Sequence, residues 1–376
     1  MKPIGIVSIR LFQKPTPERR FDVLMAGAGF NTGNLLFTNA VWNQIAGEKV
    51  HTGFHFDPAK ANATLRALII PAANWFNPHV DFYDLAERVE KLDIPVIMIG
   101  LGAQSDSYDT MPEVPEGTVR LIRAVAERSH SVSVRGHYTR KVLAKYGINN
   151  VTVTGCPSLY WDVSHAPAAR LQAEALRNTG PTLLHSTRYS AIHEPFATTR
   201  SIHRKIFRLA FRSNTDLLLQ SEPEEIGMIT EASHKPELSE ELKNLMVKIY
   251  DAKDWPRMEA FIKQHARVYF DPSHWSRAMQ TYGRVFGTRL HATIMALNSG
   301  VPAVLVHHDS RTRELSEFAA LPTFQPGLRR LDEKIVQKAI KNADFSAYAS
   351  KRRANINIYS TFIRENGLEY SSTIDD

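Results

Sequence analysis

The 376-residue sequence predicts an α/β fold made of two parallel-sheet blocks, and three observations carry that expectation. Short apolar runs alternate with amphipathic helical stretches almost from end to end. The runs are continuously apolar, as strands covered on both faces by helices are. The length suits about two domains at ~100–200 residues each. Hydrophobic residues at 43% and charged residues at 23% are ordinary for a globular chain and exclude a disordered one.

In the first block the strand candidates are Ile4–Ile9, Asp22–Met25, Ala67–Ile70, Val96–Gly100, Ser131–Val134 and Val151–Thr154. Helical periodicity falls at Leu35–Ile45, Asp81–Leu92, Thr118–Arg128 and His137–Tyr146. Pro157, Pro167, Gly180 and Pro181 interrupt the pattern, with an Ala-rich helix, Ala168–Arg177, bridging the break. The second block has strand candidates Thr182–Leu184, Leu217–Leu219, Val268–Phe270, Val285–Phe286 and Ala303–Val306. Its clearest helices are Ser239–Tyr250, Pro256–His265 and Leu290–Asn298. These signals divide the chain into an N-terminal domain over 1–165, a C-terminal domain over 180–340 and a terminal segment over 341–376. The helix of that last segment, Asp344–Arg364, is expected to pack back on the first block. The polar loop Gln104–Gly117 directly follows a buried strand and is a lid candidate, because ligands of open α/β sheets sit outside the carboxyl ends of strands.

Lys and Arg total 46 against 39 Asp and Glu, a net charge of +7 that points to acidic partners. Nucleic acid drops out for want of a recognised motif or an aromatic-rich basic platform. Much of the excess lies in Arg200–Arg212, where Ile202, Ile206 and Leu209 share a helical face. Two readings stay open there: a basic helix at an anionic membrane or lipid-linked substrate, or a core-packed helix with solvated charges. The N-terminus lacks the long apolar stretch and cleavage site of a signal peptide, and no run approaches ~18 apolar residues. A cytoplasmic protein is expected, with peripheral contact at the inner membrane face if the basic helix meets lipid. The single cysteine, Cys156, excludes a disulfide scaffold and a multi-cysteine metal site. His307 and His308, adjacent on a strand end, would face opposite ways, so no metal site is expected.

Four places are candidates for chemistry, each beside a plainer structural alternative: tight turns for the two glycine stretches, a surface arginine at a strand end for Arg135, and a capping or packing role for His291. Gly27-Ala28-Gly29 and Asn31-Thr32-Gly33-Asn34 precede a helix, an arrangement that aims backbone amides at an anion, although the glycine spacing misses the dinucleotide fingerprint. Gly100-Leu101-Gly102 ends an apolar strand and lets a ligand approach the backbone, with Gln104 just beyond. Arg135 falls at the carboxyl end of a strand, where its guanidinium can fork onto phosphate or carboxylate oxygens. In Gly287-Thr288-Arg289-Leu290-His291, Thr288 is a good N-cap, which puts Arg289 and His291 in the first helical turn. The helix end lowers the histidine pKa, and a bound anion would raise it again, so His291 can serve as an acid near neutral pH. Asp309 and Arg311, after the strand Ala303–Val306, add further groups that bind oxygens.

These residues together resemble the polysaccharide pyruvyl transferase family. The resemblance rests on Asn31-x-Gly33-Asn34, Gly100-x-Gly102, Ser133-Val134-Arg135, and Arg289-x-His291-Ala292 followed by Gly300-Val301-Pro302. It spans about residues 25–320. The chain departs at Asn34, where the family often has Asp, and at Arg311, near a family Lys. The resemblance implies a GT-B-like fold of two Rossmann-like blocks with a cleft between them. It implies transfer of the enolpyruvyl group of phosphoenolpyruvate onto a sugar as a cyclic ketal, with release of phosphate and no cofactor or metal. The acceptor would be a sugar of a cell-surface polysaccharide or its lipid-linked precursor. His291 and Arg289 would be catalytic. Arg135, Arg289, Leu290, Thr288, Gly33, Asn34, Asn31 and Gly102 would bind the donor, with Gln104, Asp309 and Arg311 touching phosphate or acceptor. Residues 185–235, with His185, Arg188, His193 and Glu194, are placed on the acceptor side. The competing readings are a nucleotide-sugar glycosyltransferase of the same architecture and a non-catalytic glycan-binding relative.

Overall fold

The computed structural model describes residues 2–105, 110–161, 168–177, 179–192, 201–325 and 331–371. Two parallel sheets organise it. In the first, β1 (Ile4–Ile6), β2 (Lys49–His51), β3 (Ala67–Pro71) and β4 (Val96–Ile99) lie in the order β2-β1-β3-β4. A parallel pair, β5 (Val132–Val134) and β6 (Val151–Val153), continues it through a bridge between Leu101 and Val134. The second sheet holds β7 (Thr182–His185), β8 (Asp216–Leu218), β9 (Ala266–Arg267), β10 (Arg284–Gly287) and β11 (Ala303–Leu305) in the order β11-β10-β7-β8-β9. Every residue of β3, β4, β5, β10 and β11 is buried, as strands covered by helices on both faces require. The architecture is the α/β fold of two blocks that the apolar runs predict.

Several elements differ from the sequence reading. Asp22–Met25 is not a strand: it lies in the helix Phe21–Ala26, where Phe21, Leu24 and Met25 share the buried face at helical spacing. The first glycine motif therefore follows a helix, not a strand. The strand β2 is only partly buried at Lys49 and exposed at Val50 and His51, so no apolar run announces it. The strand expected at Val268–Phe270 pairs two residues earlier, at Ala266–Arg267. His307 and His308 lie beyond β11 in the turn leading to the helix Ser310–Ala319, whose N-cap is Asp309.

The basic stretch forms the helix Ile202–Arg212, and Ile206, Phe207, Leu209 and Ala210 are buried in the main core. Of its cations only Arg212 is exposed; Arg204 donates from Nε to the Ala191 carbonyl at 2.7 Å. Its apolar face is thus covered by protein and is not offered to a bilayer; Arg200 lies outside the described residues. Among those residues no helix is long and apolar enough to cross a membrane. The last helix, Phe345–Glu365, ties the blocks together. Tyr359 donates to Gln44 Oε1 at 2.9 Å in the first block, and Arg352 donates to Asn298 Oδ1 at 3.0 Å in the second.

Candidate active site

Parallel strands present their carboxyl ends on one edge of a sheet, and here both sheets turn that edge toward a shared pocket. Asn74 follows β3, Arg135 follows β5, Thr187 follows β7, Gln220 follows β8, Arg289 follows β10 and His308 follows β11, and all six line it. Asn31, Asn34, Thr288, Leu290, His291, Arg311 and Thr312 complete most of the wall. The pocket encloses about 90 Å³.

Each cation is held differently. Arg135 is only 4% exposed and donates from Nε to the Gly100 carbonyl and from Nη1 to Asn74 Oδ1, both at 2.9 Å. No carboxylate forms an ion pair with it among the described residues; burial disfavours its ionised form and outweighs the nearby Glu314, which favours it. Gly102 makes this placement possible, since a Cβ there would lie 2.6 Å from Asn74 Oδ1 and 3.0 Å from Arg135 Cδ. Arg289 donates from Nε to the Ser186 carbonyl at 3.0 Å and pairs through Nη2 with the buried Glu222. Burial alone would raise the Glu222 carboxyl. Arg289 and the backbone N–H groups of Gln220, Ser221 and Arg188 outweigh it and hold the pKa below the usual range. Arg311 is clasped by Asp309, with Nε and Nη2 both on Oδ2 at 2.7 and 2.6 Å. Two of the three guanidiniums therefore arrive in an ion pair, and Arg135 does not.

His291 sits at the centre. Its helix spans Leu290–Asn298 with Arg289 as N-cap, one residue later than Thr288. Thr288 instead turns its hydroxyl toward Ser186 Oγ and His203 Nδ1, at 3.4 and 3.3 Å. The amides of Leu290 and His291 have no hydrogen-bond partner among the described residues, as expected of a first turn. The Arg289 N–H is fixed on His185 Nδ1 at 2.9 Å. His291 Nε2 lies 3.7 Å from Cys156 Sγ, which accepts from Ser158 Oγ at 3.0 Å; both of those residues are fully buried. Nδ1 faces Gly33 on the pocket side. Burial, then Arg135, Arg311 and Arg289, push the ring pKa down to about 3, so His291 is neutral at physiological pH.

The glycine turn works otherwise than its motif implies. The Gly33 N–H donates to Asn31 Oδ1 at 2.9 Å and the Asn34 N–H to the Asn31 carbonyl at 2.9 Å. The amides of Leu35 and Leu36 close tight turns onto Thr32 and Gly33. These donors are used locally, and the contribution of Gly33 is its missing side chain beside His291. The amide of Asn34 donates to the Ala28 and Gly29 carbonyls at 3.3 Å, bracing that turn.

Gln104 and Asp309 stand off the pocket. The Gln104 N–H donates to the Phe76 carbonyl at 3.1 Å, and Asp309 lines a second, more open cavity of about 480 Å³ with His307, Ser310 and Arg313. The two cavities meet at His308. Arg188 is tied to Glu224 and Glu225, while His193 and Glu194 lie outside the described residues. Gln220 and Asn74 are pocket residues that the sequence reading missed; each is a lone amide beyond an apolar strand, and no motif marks either. Among the described residues no group of three or more His, Cys, Asp or Glu is placed to hold a metal ion.

A family model described as polysaccharide pyruvyl transferase matches residues 31–310, well over half of the chain. No curated protein matches it. Among solved structures it is similar to an S. aureus MnaA–UDP co-structure, with 9% identity, a TM-score of 0.47, and coverage of 99% of this chain and 100% of that one. It is also similar to a UDP-GlcNAc 2-epimerase from Methanocaldococcus jannaschii, with 12% identity, a TM-score of 0.45, and coverage of 96% and 100%.

Proposed function

Because the chain belongs to the polysaccharide pyruvyl transferase family, we propose that it transfers the enolpyruvyl group of phosphoenolpyruvate to a sugar as a cyclic ketal. The observation that carries this reading is the convergence of Arg135, Arg289 and Arg311 around a neutral His291 at a helix N-terminus. A phosphate and a carboxylate need several cationic or amide-rich contacts, and this pocket offers them. The pocket and the larger cavity that joins it at His308 give room for a small donor beside a larger acceptor.

In the proposed reaction the anionic donor raises the pKa of His291, which takes up a proton on Nδ1. That proton passes to the methylene carbon, the carbon–carbon double bond becomes a C–H bond, and the adjacent carbon becomes oxocarbenium-like. A sugar hydroxyl adds there and loses its proton. The carbon–oxygen bond to phosphate then breaks, and a second hydroxyl adds, passes its proton to the released phosphate and closes the ketal. Arg135 and Arg289 stabilise the departing phosphate. The second cavity, which shares His308 with the first, suits the acceptor sugar. The acceptor belongs to a cell-envelope polysaccharide or its lipid-linked precursor. His291→Gln should lower acceptor-dependent phosphate release by roughly 10²–10⁴-fold while phosphoenolpyruvate still binds, the scale of losing a general acid. Near-normal turnover in that variant would remove His291 from the acid role.

A further inference from the structure

We propose that Cys156, steadied by Ser158, is a positioning residue for His291. It holds the ring's resting proton on Nε2 and keeps Nδ1 as the nitrogen that gains and delivers a proton at the pocket. The inference rests on the phosphoenolpyruvate reading above, in which His291 is the acid. Cys156 and Ser158 are fully buried, whereas His291 is 9% exposed and lines the pocket. The ring therefore has a dry edge and a pocket edge. On the dry edge Nε2 lies 3.7 Å from Cys156 Sγ, within hydrogen-bond reach of a sulfur, and Ser158 Oγ donates to the same sulfur at 3.0 Å. Cys156 opens a single turn of 3₁₀ helix, Pro157–Tyr160, whose carbonyls are tied down. Gln44 Nε2 donates to those of Pro157 and Tyr160 at 3.0 and 2.8 Å, and Asn298 Nδ2 to that of Ser158 at 2.8 Å. Asn298 ends the helix that carries His291, so sulfur and ring are braced against each other across the two blocks.

A neutral imidazole carries one proton, and its surroundings choose the nitrogen. Arg135, Arg289 and Arg311 line the pocket together with His291. An N–H on Nδ1 would aim its positive end into that field, whereas a lone pair there is favoured. Nε2 then carries the proton and donates it to Sγ, a weak acceptor. The weakness of that acceptor serves the chemistry. A carboxylate behind the ring would stabilise the imidazolium and make it a poorer acid. An uncharged acceptor such as a thiol orients the ring without that stabilisation, so the proton gained on Nδ1 stays acidic enough to pass to carbon. The step balances: Nδ1 gives up the proton it gained, Nε2 keeps its own, and the ring returns to the neutral form in which it began.

Two measurements on this chain test the role, each comparing Cys156→Ala and Cys156→Ser with the unsubstituted protein. Long-range proton–nitrogen NMR spectra of histidine-labelled protein give the tautomer of each ring, and the signals lost in His291→Gln identify His291. The unsubstituted protein should carry the proton on Nε2. Cys156→Ser, whose hydroxyl accepts the same hydrogen bond, should keep it there, and Cys156→Ala should mix the two tautomers. In turnover, Cys156→Ala should lose roughly ten- to hundredfold in kcat, the scale of removing a group that orients a working histidine, with KM for phosphoenolpyruvate within about twofold. Cys156→Ser should restore most of that loss. A resting proton on Nδ1, an unchanged kcat in Cys156→Ala, or equal losses in the alanine and serine variants would overturn the positioning role and leave the donor reading standing. If the unsubstituted protein turns over no phosphoenolpyruvate, the donor reading falls, and the hold of Cys156 on the ring stands or falls by the spectra alone.

Discussion

At His291 the two ring nitrogens have unlike surroundings, and that asymmetry decides what the residue can do. Nε2 meets the buried sulfur of Cys156, while Nδ1 faces the pocket beside Gly33. Burial and three guanidiniums hold the free ring neutral, with a pKa near 3. A bound dianion or trianion opposes the part of that shift that the guanidiniums cause. Binding of phosphoenolpyruvate near pH 7 should then take up a proton, and affinity should fall as pH rises. Titrations in buffers of different ionisation enthalpy measure this uptake, which His291→Gln should abolish; equal heats in all buffers for the unsubstituted protein would refute it. Arg135, Arg289 and His291 were legible in the sequence because charged residues directly follow apolar strands or begin a helix there. Gln220 was not, because a lone glutamine carries no motif. The compensation of Arg289 by Glu222 was equally hidden, since 67 residues separate the pair.

At the level of elements, the fully buried strands read clearly and the marginal ones did not. Continuous apolar runs located β3, β4, β10 and β11, whereas β2 shows no such run because two of its three residues are exposed. The stretch around Asp22–Met25 misleads because four residues are too few to separate a strand from one turn of helix. Only the spacing of Phe21, Leu24 and Met25 reveals the helix. The basic helix Ile202–Arg212 shows how charge pattern can suggest a surface role where packing dominates. Phe207 is fully buried and meets Tyr250 at a tilt, ring centroids 4.9 Å apart. Phe207→Ala should destabilise the protein by about 3–5 kcal/mol, read from urea unfolding. A change below about 1 kcal/mol would mean that this helix is not anchored through its apolar face.

For the whole molecule, the pocket exists only because two blocks meet, and contacts at its rim hold them together. Ser310 of the second block donates to the Ser105 carbonyl at 3.0 Å, and its Oγ accepts the Ser105 N–H at 3.2 Å. Glu314, on the same second-block helix, accepts from the Thr139 N–H and hydroxyl at 2.6 and 2.9 Å. The terminal helix Phe345–Glu365 fixes the far side through Gln44 and Asn298. Ligands of open α/β sheets bind outside the carboxyl ends of the strands, and this seam joins those ends of both sheets. The donor is therefore the centre of the account, and its most direct test is calorimetric titration of this chain with phosphoenolpyruvate and, separately, with a nucleotide sugar such as UDP-N-acetylglucosamine. We expect one site for phosphoenolpyruvate, weakened at least tenfold by Arg135→Lys, which loses the forked geometry, and no heat from the nucleotide sugar. Saturable binding of the nucleotide sugar with none of phosphoenolpyruvate would contradict the account.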